Sequence, residues 1–69
     1  MAVTEYSSLE DGKADGWAAI TSLTGDGITY LTTVEKSGTD PVAAYGTGGT
    51  PEQAEAAALR SLNYQRGVR

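Results

Sequence analysis

Along the chain, apolar and β-favouring positions come in short runs divided by glycine until residue 50, where the spacing changes. The runs Val3–Leu9, Trp17–Leu23 and Ile28–Glu35, with Val42–Tyr45 as a shorter fourth, read as strands. Asp11-Gly12, Asp15-Gly16, Gly25-Asp26-Gly27 and Ser37-Gly38 stand between them as turn signals. Beyond them, Thr50-Pro51-Glu52-Gln53 has the order of a helix start. Thr50 is placed to cap, Pro51 takes the first helical position where its missing N–H costs nothing, Glu52 complements the dipole, and Gln53 can close a capping box. A helix is predicted from Pro51 to about Gln65, with Gly67 as its stop. On a helical wheel Ala54, Ala58, Leu62 and Leu59 share one arc, flanked by Ala57 and Ser61, and Glu52, Arg60 and Asn63 fall opposite. A face so rich in alanine lets a helix lie close against a sheet.

The Thr24-Gly25-Asp26-Gly27 turn between the second and third runs predicts a hairpin. Either two-residue turn, Gly25-Asp26 or Asp26-Gly27, makes paired positions sum to an odd number. Odd residues of one strand then share a face with even residues of the other. One face carries Trp17, Ala19, Leu23, Ile28, Tyr30 and Val34, and should take the helix. The other carries Ile20 and Leu31 among Ala18, Ser22, Thr29 and Thr33, and should be a mostly hydroxylated surface with an apolar pair at its centre. The expected fold is α+β: an antiparallel sheet of three strands, or four if Val42–Tyr45 joins, with one C-terminal helix across one face, all within one domain spanning residues 1–69.

Composition narrows the chemistry. At 69 residues the chain holds one domain near the lower limit of independent stability, so burial of further apolar surface by self-association would add to it. There is no cysteine and no histidine, which removes disulfides, thiolate and imidazole catalysis and the usual transition-metal ligands. An enzyme is not expected, and neither is a cofactor. Residues 1–59 hold two lysines and nine acids, a net −7; residues 60–69 hold three arginines, which brings the chain to −4. Arg60 and Arg66 read as complements to the helix C-terminus. The first residues, Met1-Ala2-Val3-Thr4-Glu5, lack the basic flank and apolar run of a signal peptide or membrane span, so a cytoplasmic location is expected.

Three motifs suggest ligands and fall short of them. Gly46-Thr47-Gly48-Gly49-Thr50 before a helix has the outline of a phosphate cradle, but no lysine follows, Pro51 removes a donor and Glu52 repels an anion. A flexible connection explains it better. Asp11-Gly12-Lys13-Ala14-Asp15-Gly16 echoes the start of a calcium loop, yet Lys13 occupies a ligand position and Ser22 stands where a bidentate glutamate belongs. A pair of Asp-Gly turns is the simpler account. Trp17 and Tyr30 could stack bases on an exposed sheet, but Asp15, Asp26 and Glu35 nearby would repel phosphates, so Trp17 is placed in the core.

The segment from Gly46 to Ala58 resembles the last loop and helix of double-stranded-RNA-binding-like domains, with its Thr cap and spaced alanines. That resemblance implies a three-strand-then-helix order. Where the family places lysines on phosphates this chain has Pro51, Glu52 and Glu55, and no room is expected for the family's N-terminal helix, so RNA binding is not implied. The order is also similar to small β-β-β-α proteins, HicB-like antitoxins among them, which act by binding another protein. That likeness implies a protein partner. The expected function is therefore protein–protein recognition by a small acidic adaptor or inhibitor of a basic partner, as a homodimer through an edge strand or the Ile20/Leu31 face. The binding residues expected are Ile20, Leu31, Thr29 and Thr33. The alternative is nucleic-acid binding through Arg60, Arg66 and Arg69 at the helix end, which the acidity elsewhere disfavours.

Overall fold

A computed structural model describes residues 5–36 and 42–67. The order of elements is α1 (Leu9–Ala14), β1 (Ala18–Leu23), β2 (Tyr30–Lys36), β3 (Val42–Gly48) and α2 (Pro51–Gln65). The strands form one antiparallel sheet in the order β1-β2-β3, and α2 packs on one side of it, which is the α+β architecture expected.

The first run behaves otherwise than predicted. Val3 and Thr4 lie outside the described residues, Glu5 to Ser8 form no strand, and Leu9 opens a short helix where no room for one was expected. Its cause is local. Ser8 adopts an extended N-cap conformation, Glu10 and Asp11 stand in the first turn, and the Asp11 carboxylate accepts the Ser7 N–H at 3.0 Å. Gly12 is therefore inside a helix, and only Asp15-Gly16 makes a turn, with Gly16 at φ 98°. The Ser37-Gly38 turn lies outside the described residues.

The helix α2 begins and ends at the predicted residues. Thr50 Oγ1 accepts the Gln53 N–H at 3.1 Å, and Gln53 Oε1 reaches back to the Gly49 N–H at 3.0 Å, a capping box displaced by one residue. Gly67, at φ 89°, closes the other end. Ala54, Ala58 and Leu62 are fully buried, with Val34, Ala44, Trp17 and Tyr6 completing the core.

What α2 rests on was not anticipated. The third strand runs on through Gly48, so Gly46 and Gly48 are strand residues rather than a flexible connection. Both face the helix. A Cβ on Gly46 would collide with the Ala58 nitrogen and the Ala54 and Ala57 backbones, and one on Gly48 would stand 2.5 Å from Gln53 Cβ. The helix backbone thus lies directly on β3, with glycine on one side and Ala54 and Ala58 on the other. Beside this contact, in the row Thr32–Gly46, Thr32 is fully buried, and its hydroxyl pairs with that of Thr21 at 2.7 Å.

The glycines divide into opposite kinds. At Gly12 an added Cβ would meet Tyr6 and Leu62 at 3.6–3.7 Å, ordinary contact distance, and φ is not positive. Gly12→Ala should therefore stabilise the fold by roughly 0.5–1 kcal/mol through its helix propensity. Gly46→Ala, with backbone on all sides, should destabilise it by about 3 kcal/mol or more. Thermal unfolding of the two variants checks both signs.

Candidate functional site

The hairpin register pairs Ala18 with Glu35 and Leu23 with Tyr30, an odd sum throughout, so the predicted sharing of faces holds. Trp17, Ala19, Thr32 and Val34 lie under α2. Ile20, Ser22, Leu31 and Thr33 lie on the reverse side, which no described element covers.

The third strand completes that side. With Thr33 paired to Tyr45 and Leu31 to Thr47, odd residues of β3 join it. Its rows across the sheet are Ala18–Glu35–Ala43, Ile20–Thr33–Tyr45 and Ser22–Leu31–Thr47. Ile20 is 69% exposed and Tyr45 57%, while Thr33 between them and Leu31 on the diagonal are half-buried. Glu35 supplies the charge of these rows, and no lysine or arginine enters them. Lys36 points the other way, its Nζ 5.7 Å from the centroid of the Trp17 ring. Tyr45 was not placed on this side from the sequence because the Ser37-Gly38 signal leaves the length of the β2–β3 connection, and so the register of β3, open.

Thr29 belongs elsewhere. It closes the hairpin turn, where Asp26 collects four hydrogen bonds: Thr24 Oγ1 at 2.7 Å, the Ile28 and Thr29 N–H groups at 3.0 and 2.9 Å, and Thr29 Oγ1 at 2.6 Å. These donors hold the Asp26 carboxyl far below the usual carboxylate range, the Thr24 hydroxyl contributing most. Leu23 and Ile28, 51% and 74% exposed, flank this braced turn, so neither is covered as the expected helix side required.

A second cluster ties the N-terminal segment to the far end of α2. Asn63, placed on the solvent side by the helical wheel, is buried. Its Nδ2 donates to the Tyr6 carbonyl and its Oδ1 accepts the Tyr6 N–H, both at 3.0 Å. The Arg66 guanidinium lies 3.5 Å from the centre of the Tyr6 ring and donates to Asn63 Oδ1 at 3.2 Å. The Tyr6 hydroxyl donates to Asp15 at 2.6 Å, which raises its pKa above the ordinary value of 10, with burial adding to the effect. A lone Asn on a helix carries no signal of this pairing, since the partner is main chain 57 residues away.

The ligand echoes dissolve in this geometry. Gly49 and Gln53 N–H groups are taken by the cap, so the glycine segment is no anion cradle. Asp11 is committed to Ser7, and Lys13 pairs with Glu10 at 3.2 Å. No group of three or more acidic side chains suited to a metal occurs among the described residues. An open groove of about 320 Å³ between Leu9 and Leu59 is rimmed by Glu10, Lys13 and Glu55, without a buried polar group aimed into it. No helix of the described residues is long and apolar enough to cross a membrane. Compared with protein-family models, with curated proteins and with solved structures, this chain matches none.

Two outcomes follow from these clusters. Asn63→Ala leaves the Tyr6 N–H and carbonyl unpaired in a buried place, so it should cost about 2–3 kcal/mol and abolish exchange protection of the Tyr6 amide. Because the Asp26 pKa is depressed in the folded chain, its contribution to hairpin stability is present above pH ~4 and declines as pH falls further. Carboxyl NMR titration should show Asp26 protonating well below the ordinary aspartate range, and Asp26→Asn should remove that acid dependence of the turn.

Proposed function

We propose that this protein is a small acidic interaction module, an adaptor or inhibitor that docks its uncovered sheet face on a basic surface of a protein partner and works as a homodimer. The observation that carries this reading is the row Ile20–Thr33–Tyr45. Two large apolar side chains stand more than half exposed on a rigid sheet, beside half-buried Leu31 and without a cation. Aromatic and aliphatic side chains so displayed are the usual anchors of an interface, and hydroxyls around them suit a hydrogen-bonding rim. The excess of acids over residues 1–59 would speed encounter with cationic surfaces. A catalytic role has no support from histidine or cysteine, nor from a carboxylate cluster among the described residues. The nucleic-acid alternative loses ground because Arg66 is engaged with Tyr6 and Asn63, while Arg69 lies outside the described residues. Arg60 is exposed.

Capture of binding proteins on the immobilised chain, with Ile20→Asp/Tyr45→Asp as control, tests the reading. The wild type should retain basic proteins, and the folded double variant should lose them. Retention of acidic proteins alone, or equal retention by the variant, overturns it. A mobility shift with duplex or single strands that vanishes steeply with salt would instead support the arginine alternative.

A further inference from the structure

The strand β1 is an edge of the sheet. Edges are commonly blunted by charge, proline or a bulge, because their unpaired N–H and carbonyl groups invite another strand. This one has none of those devices: Ala18-Ala19-Ile20-Thr21-Ser22-Leu23 is uncharged and free of proline, and its register with β2 is unbroken. The ladder also reveals which groups point outward. The Thr24 N–H donates across to the Thr29 carbonyl at 2.8 Å, so the even residues Ser22, Ile20 and Ala18 turn their main chain toward β2. Those of Ala19, Thr21 and Leu23 face away, and no other described element takes them.

We propose that this edge pairs with β1 of a second copy, antiparallel and centred on Thr21. The register is self-selecting. Outward groups of odd residues can only meet outward groups of odd residues. A two-fold axis through Thr21 pairs Thr21 with its own mate and Ala19 with Leu23 in both directions, giving about six main-chain hydrogen bonds. No other symmetric register uses all three residues of both strands. The absence of charge in β1 means that a chain of net −4 meets its copy here without placing like charges opposite one another in the strands. The same register sets half-exposed Leu23 beside Ala19 on the side facing α2, and Ile20 beside Ser22 on the other. It also carries each copy's turn, with Asp26, to the end of the other β1 where Lys36 lies across Trp17. The opposite edge is a poorer choice, since α2 lies chiefly over β3 and scarcely touches β1.

The result is a six-stranded sheet with both helices on one side and the two Ile20–Thr33–Tyr45 rows on the other. This gives the homodimer of the proposed function its interface, and rests on that reading only for its use. Sedimentation from micromolar to millimolar concentration, with amide exchange at both ends, tests it. The mass should double, and the Ala19, Thr21 and Leu23 amides should gain protection only in the dimer, while Ala18, Ile20 and Ser22 stay constant. Leu23→Pro removes an outward N–H that β2 does not use, so the monomer should fold and the dimer weaken roughly tenfold or more. In a mixture of labelled and unlabelled chains, Ile20 and Ser22 Hα protons should show contacts across the pair. A monomer at millimolar concentration overturns the proposal. So does a dimer whose odd β1 amides stay unprotected, or one broken by Ile20→Asp and indifferent to Leu23→Pro. Partner capture by the Leu23→Pro monomer separates the two readings: retention there leaves the docking face standing if self-pairing fails.

Discussion

The close seating of α2 on β3 is the contact on which the rest of this structure depends. A sheet of three short strands offers little apolar surface, and the chain has no phenylalanine to enlarge it. The available solution is proximity. Gly46 and Gly48 remove side chains from one surface, Ala54 and Ala58 reduce them to methyl groups on the other, and the two backbones come into direct contact. Dispersion between many closely placed atoms then replaces the bulk that larger side chains would have supplied. Leu62, Val34 and Trp17 supply the larger side chains of the core beside this contact.

That geometry dictates where polar groups must be satisfied. The buried Thr32 hydroxyl lies beside the glycine contact and finds Thr21. Near its C-terminal end, α2 meets the N-terminal segment at Tyr6. Asn63 meets that segment as a neighbouring strand would, with one donor and one acceptor. Tyr6 is thereby held by main chain, ring and hydroxyl at once, through Asn63, Arg66 and Asp15. Small folds with thin cores rely on such polar ties because a buried N–H or carbonyl left alone costs more than the bond itself gains.

The same economy leaves the reverse of the sheet uncovered by any described element. One helix can shield one side only, so Ile20 and Tyr45 stand out on the other, and an uncharged edge runs beside them. The Asp26 turn keeps the hairpin rigid at its end, so these groups are displayed on a fixed frame rather than a mobile loop. Preorganisation of this kind lowers the entropy cost of binding.

Local chemistry determined much of this from the sequence alone. The helix from Thr50 to Gly67 was legible because capping, proline placement and the glycine stop act within a few residues of one another. The two sides of the β1–β2 hairpin were legible because any even-numbered turn gives the same parity: the sequence pointed to two residues, and the structure places four, 25–28, between the paired Thr24 and Thr29. The expected N-terminal strand failed because β-favouring side chains there compete with an equally local Ser-Leu-Glu-Asp helix start, and the docking of Tyr6 on Asn63 and Leu62 lies far away in sequence. The places of Tyr45 and Thr29 were illegible for similar reasons: the Ser37-Gly38 signal leaves the register of β3 open, while the Thr29 hydroxyl is bound by Asp26. Tertiary structure alone decided the roles of Gly46, Gly48 and Asn63. Each of those residues answers to a backbone that approaches from another element, and no pattern of neighbours along the chain encodes that distance.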